Sequence, residues 1–432
     1  MRMKFNKSSQ LILVSAGSLL AASLVTACSL LTQTLTVDFV YVASSKAAGA
    51  DNYGQIDVYE INSESGVMRT IPASPFPSGG RNPVAEATSA DNGSLFVVNH
   101  DDNSIVQFVI GSDGKLYPYN TVNTPGVFPL AIATTKSNLF VVDTYQPLPI
   151  CSTAEPCSGS IAVFPLSTAT SSTPAKLGTP VVNPSVSAAY WPLTLSGAQS
   201  SDVIVPTAVN VVASGSYVYV AAYDSSITPS AGYVFGFSVA SSGALTALPG
   251  SPFVAGVKPS AIASNSAGSY VYITDFNESN VLGYAISSTT GSAGILVPLT
   301  TGLGGTNRFP SGNQPSAIVV DPTYPYAYVA NSLDSSVTAY SISNGTLTGL
   351  GTTTVGQNTY PTGTNPVAIG IDPSTNHFLF TADFLGNNVS DFELSTTAGT
   401  LLEAQSEPYS SNALPKAVAA VPHNGTGSGI TH

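Results

Sequence analysis

Two signatures, each repeated seven times, predict an all-β chain wound into one seven-bladed β-propeller, closed by a C-terminal strand that completes the N-terminal blade. The first is a proline followed by small and branched apolar residues: Pro83-Val84-Ala85, Pro129-Leu130-Ala131, Pro206-Thr207-Ala208, Pro259-Ser260-Ala261, Pro315-Ser316-Ala317, Pro366-Val367-Ala368 and Pro415-Lys416-Ala417. These prolines lie 46, 77, 53, 56, 51 and 49 residues apart, the length of a four-stranded blade with its loops. The second signature is an aromatic and β-branched run, such as Phe39-Val40-Tyr41-Val42, Leu95-Phe96-Val97-Val98 or Ala327-Tyr328-Val329. With 43% hydrophobic and only 8% charged residues, and with 38 Gly and 31 Pro spread along its length, the chain has the apolar material for a core and the turns of an all-β fold.

From the N-terminus, Arg2, Lys4 and Lys7 precede an apolar stretch from Leu11 to Val25. The tetrad Val25-Thr26-Ala27-Cys28 then has the form of a bacterial lipobox. Residues 1–28 therefore read as a lipoprotein signal with Cys28 as the lipid anchor, 29–37 as a short tether, 38–422 as the propeller and 423–432 as a flexible tail. Ser29, where an Asp would retain the protein at the inner membrane, directs it to the outer membrane, on the periplasmic or the cell-surface side. Acyl chains on Cys28 make the membrane a partner by anchoring.

Each predicted blade continues with a third strand carrying a branched residue, an aromatic three later and an aliphatic two beyond, as in Ile105/Phe108/Ile110 or Val337/Tyr340/Ile342. A fourth strand opens on Gly with Leu or Met two residues on, as in Gly66-Met68 and Gly294-Leu296, and the third repeat lacks it. The propeller begins at a second strand, Phe39–Val42, while the seventh proline unit stands alone at Pro415–Val421. The last strand is therefore expected to complete the first blade and seal the ring. Two insertions interrupt the third repeat: Thr144–Gly159, and a Ser-, Thr- and Pro-rich stretch from Ser167 to Val205 that includes the single Trp, Trp191. Such insertions map to loops, where they either shape a binding face or are tolerated decoration.

The formal charge is −12, and beyond the signal nine basic residues face 24 acidic ones. A surface of that sign repels phosphate backbones, which excludes nucleic acid as a partner. Cys151 and Cys157, an even pair in an exported chain, are expected to form a disulfide around a small loop; zinc would need further ligands nearby, and no metal site is expected. No Gly-x-Ser-x-Gly, His-Glu-x-x-His or Gly-Lys-Ser/Thr motif occurs, and no cofactor is implied.

The run Tyr328-Val329-Ala330-Asn331, between Pro315-Ser316-Ala317-Ile318 and Ser336-Val337-Thr338-Ala339-Tyr340, resembles the YVTN-type propeller repeat. Over about residues 38–422 the chain resembles the seven-bladed lactonase-type propellers, which include bacterial 6-phosphogluconolactonases and fungal muconate-lactonizing enzymes. The resemblance implies a site on the face of the second-to-third-strand loops and the inter-blade segments, where His, Glu and Arg serve lactone chemistry. Of the four His, only His100 falls in such a loop, and of the Arg only Arg81 and Arg308 fall in inter-blade segments. A lactonase reading thus assigns His100 as general base with Arg81 or Lys258 as its positive partner. A 6-phosphogluconolactone substrate fits poorly with an exported, acidic chain that has few Arg at this mouth.

The residues ending the second strands supply the other candidates: Asn99, Asp143, Asp275, Asn331 and Asp383, joined by Arg308. They either cap turns through backbone N–H groups or form a polar funnel for a neutral or cationic ligand, Ca²⁺ included. Two functions follow. The first is a monomeric, lipid-anchored binding module that takes a small molecule, a carbohydrate or a protein at the channel mouth. The alternative is a lactonase-like hydrolase of sugar or aromatic lactones, which requires His100, Arg81, Lys258 and Arg308 to converge.

Overall fold

The computed structural model describes residues 36–62, 65–170, 173–195, 202–351, 359–373, 378–404 and 408–422. Cys28, with the signal segment, and His377, His423 and His432 lie outside the described residues.

Seven antiparallel sheets make up the ring; in six of them the strands run from the inner edge outward in chain order, and in the first blade the last strand of the chain takes the inner edge. The second blade shows the plan, with strands Pro83–Thr88, Ser94–Asn99, Ser104–Ile110 and Leu116–Asn123. Each predicted proline unit lies at or near the start of an inner strand, opening it in five blades and standing at its third residue at Pro129 and Pro206, because Pro lacks an N–H and is tolerated near the start of an edge strand. The seven inner strands contact one another in a closed circle around the channel, and the second strands behind them are almost wholly buried. The ring closes as expected: Pro415–Pro422 pairs with Thr36–Ala48, in register from Asp38↔Pro422 to Ala43↔Ala417 and, after a one-residue slip, at Ser44↔Pro415.

Neighbouring blades are also joined by a repeated hydrogen bond. Tyr41, Tyr219, Tyr272 and Tyr328, at equivalent second-strand positions, each donate a hydroxyl to the carbonyl of the glycine that opens the next blade's fourth strand: Gly114, Gly294, Gly345 and Gly399. Those glycines have φ between 68° and 86°, which explains the Gly that opens each fourth-strand signature.

The third blade departs from expectation. Its fourth strand is not missing: Trp191–Pro192, from within the second insertion, pairs with Ser160 and Ile161. Trp191 is buried and its indole N–H donates to the Leu245 carbonyl of the fourth blade at 3.0 Å. On the other side Gln107 of the second blade holds the insertion through the Ala175 carbonyl and the Leu177 N–H. The insertion thus rebuilds an outer strand and clamps two neighbours, and the sequence hid it because no Gly-x-Leu marks it.

Candidate active site at the channel mouth

The second strands end, and the inner strands begin, on one face of the ring, which forms the mouth. The five Asx residues expected to line it are instead fully buried. Asp275 accepts from the Val257 and Lys258 N–H groups at 2.8 and 3.1 Å. Asp143 accepts from Gly126 N–H at 3.1 Å, and Asp383 from Thr381 and Ser390 hydroxyls, both at 2.8 Å. The Asn331 amide donates to Thr338 Oγ1 at 2.8 Å, and that of Asn99 to the Ser78 carbonyl at 3.4 Å. Each lies against a glycine three residues before the next proline: Gly80, Gly126, Gly256, Gly312 and Gly363, where an added Cβ would come within 2.1–2.6 Å of the Asx side chain. The two blades without an Asx, ending in Ser44 and Ala222, have Asn412 and Val203 in place of that glycine. The Asx ring is therefore turned into the blades, where Asp143 and Asp275 accept backbone N–H groups of the inter-blade segments, and it presents no exposed carboxylate to a cation at the mouth. Burial pushes Asp143 and Asp383 up to about 7 against opposing hydrogen bonds.

What remains exposed at the mouth is different chemistry, concentrated where the first three blades meet. A 3₁₀ turn, His100–Asp102, follows the second strand of the second blade and ends at Asn103 in the left-handed conformation (φ 50°). Within it His100 Nδ1 lies 2.6 Å from Asp101 Oδ1, and no protein atom is bonded to Nε2 among the described residues. Asp101 also accepts from the Asn82 amide at 3.0 Å, and the Asn82 oxygen accepts from Lys416 Nζ at 2.8 Å. His100, Asp101, Asn82 and Lys416 thus form one hydrogen-bonded line across the seam between the second blade and the closing strand. Partial burial works to raise Asp101, but bonds from Asn82 and His100 and the nearby charges bring it below the ordinary carboxylate range.

The His100 ring is stacked on Phe128, with centroids 4.7 Å apart and planes 8° from parallel, and Tyr145 meets Phe128 edge-on at 5.9 Å. Phe128 holds φ at 60°, uncommon for an aromatic residue. Its N–H donates to Asn103 Oδ1 and its carbonyl accepts from Thr144 Oγ1, both at 2.7 Å. His100 is accordingly fixed in its plane by Asp101 and across its plane by Phe128.

Of the four residues whose convergence the hydrolase alternative requires, the structure brings two together. Arg81 is in the cluster, but its guanidinium is paired with Asp102 (Nε–Oδ1 2.6 Å) and bonded to the Asp101 carbonyl. Lys258 lies three blades from His100, the widest separation a seven-membered ring allows, with Nζ 5.5 and 5.0 Å from the Tyr223 and Phe276 ring centres. Arg308 is paired with Glu278 at 3.1 Å on the fifth blade. Cys151 and Cys157 are joined as a disulfide in the loop that continues from Tyr145 on this face.

Sequence reasoning passed over Lys416, Asn82 and Phe128, although Lys416 stands in the last proline unit. It also passed over Glu86, the one acid where the other six inner strands carry Ile or Val three residues after the proline. The Glu86 carboxyl oxygens are enclosed, and burial drives the group far above its ordinary value.

A closed propeller of seven four-stranded blades, with a histidine–carboxylate pair on the loops of one mouth, defines the class of protein. The sequence profile described as "Lactonase, 7-bladed beta-propeller" matches residues 178–422, more than half of the chain, and the protein belongs to that family. No curated protein matches by sequence. Among solved structures, a putative 6-phosphogluconolactonase of Bacteroides fragilis superposes with a TM-score of 0.65 at 19% identity, over 90% of this chain and 99% of that one. The periplasmic gluconolactonase of Pseudomonas aeruginosa gives 0.66 at 17% identity, over 89% and 99%. At these identities the likeness is one of fold.

Proposed function

We propose that this protein is an extracytoplasmic lactone hydrolase, held at the outer membrane through Cys28, with its active site at the meeting of the first three blades. The observation that carries the proposal is the His100–Asp101 pair at the channel mouth: Nδ1 is engaged by a carboxylate that fixes the tautomer, and Nε2 is left to take a proton from water. Family membership and the names of the two structural neighbours, both lactonases, support the same reaction. The substrate is an unphosphorylated lactone, since Arg81, the one arginine of the cluster, is already paired with Asp102.

The test is hydrolysis of glucono-δ-lactone and of aromatic lactones by the purified protein and by His100→Ala. Removal of a general base should lower kcat by about 10²–10⁴. Unchanged turnover in the variant would remove His100 from the mechanism. A second reading, the non-catalytic binding module, is favoured by the half-exposed rings beside lysines elsewhere on the rim: Tyr223 and Phe276 at Lys258, and Phe384 at Lys416. It predicts ligand-induced thermal stabilisation without turnover.

A further inference from the structure

We propose that Lys416 is the group that receives the carbonyl oxygen of the ligand, and that it is the positive partner of His100 in place of Arg81 or Lys258. This rests on the reading of the mouth as a lactone site. Three independent features of Lys416 point to it.

The first is position. The residue after each inner-strand proline stands where the strand enters the channel. In the other six blades that residue is Val84, Leu130, Thr207, Ser260, Ser316 or Val367. Lys416 is therefore the single charged side chain at this level, and the closing strand, which contacts the inner strand of the second blade, brings it to the His100 loop.

The second is its set of partners. Arg81, Lys115, Arg308 and His100 each have a carboxylate within ion-pair distance, whereas Lys416, like the distant Lys258, has none among the described residues. It donates to the neutral Asn82 oxygen and lies 5.8 Å from the Phe384 ring centre. An ammonium has three donors, and one protein acceptor leaves capacity for a ligand oxygen.

The third is surroundings. Lys416 is half-buried, and desolvation brings it below the ordinary lysine value although the Asp101 charge opposes this. A cation that has already lost part of its water gains more from an incoming negative charge than one in bulk solvent does.

The step is balanced as follows. Water gives a proton to His100 Nε2 as its oxygen adds to the lactone carbonyl carbon, and the π pair moves to the carbonyl oxygen, where the Lys416 ammonium holds it. Collapse of this oxyanion breaks the ring C–O bond, and the expelled oxygen takes the proton from the imidazolium. The hydroxy acid that results ionises into solvent, and its carboxylate lies on the same lysine until it leaves.

Two measurements on the full chain test this. In the first, trace acetylation by acetic anhydride is followed by mass spectrometry with and without D-gluconate. Gluconate should slow labelling of Lys416 by about fivefold or more once the site is mostly occupied, and leave the exposed Lys136 on the opposite face unchanged. Equal labelling of Lys416 in both conditions overturns the proposal, whether or not the protein turns over a lactone. In the second, Lys416→Met should lower kcat on glucono-δ-lactone by about 10²–10³, with Lys416→Arg recovering part of it. Full kcat in Lys416→Met also overturns it. If no lactone is hydrolysed, the hydrolase reading falls, and Lys416 as the donor to the ligand oxygen stands or falls by protection alone.

Discussion

Asp143 and Asp383 occupy equivalent places in the third and seventh blades and keep their protons to about pH 7 because burial disfavours the carboxylate. In the unfolded chain both ionise in the ordinary range near pH 4. Their contribution to stability is therefore complete below about pH 4 and is lost as the pH rises through about 7. Asn99 and Asn331 fill the same position without a titrating group. Urea unfolding should therefore show the native protein weakening from pH 5 to pH 8, and Asp143→Asn with Asp383→Asn should flatten that slope. An unchanged slope would mean the two carboxyls are ionised in the fold. The ring of Asx residues was legible in the sequence but its direction was not: whether a side chain caps a turn or faces a channel depends on the backbone beside it. The clue was the glycine three residues before the proline, present in the five blades that carry an Asx and in neither of the other two.

At the scale of the blade, that Asx–Gly contact sets how each inter-blade segment approaches the second strand. Gly126 has no room for a Cβ, which would lie 2.4 Å from the Asp143 Cβ. Gly126→Ala is expected to destabilise by about 1–3 kcal/mol as an overpacked contact, and adding Asp143→Ala should restore part of the loss. Thermal melts of the four members of this cycle measure the coupling, and strict additivity would show that the two residues do not share the space. The blades themselves were readable because each strand type recurs at a fixed place in the repeat, so a weak pattern in one copy is corrected by six others. Trp191–Pro192 escaped notice for the same reason, since it is an outer strand that does not follow the repeat. The partners of His100 and Arg81 in the site escaped for a different one. Asn82 and Asp101 belong to the second blade, Phe128 to the third and Lys416 to the closing strand, and they meet only once the ring is complete.

The whole molecule is a ring in which the last strand serves both closure and the mouth. Ending the chain after Leu414 would bare the Thr36–Ala48 strand along its paired edge and remove Lys416. The truncated protein is expected to lose its cooperative thermal transition or to associate through that edge, as measured by calorimetry and light scattering. A monomer with native melting would show that six complete blades suffice. The pairing of Asp38 with Pro422 has one more consequence. Both ends of the propeller chain emerge on the face away from the mouth. The seven residues between Cys28 and the first strand span at most about 25 Å when extended. A lipid on Cys28 would moor the ring by its underside, close to the bilayer, with His100 and Lys416 looking outward like the open top of a cup, so that the site draws its ligands from the surrounding fluid and not from the membrane that carries it.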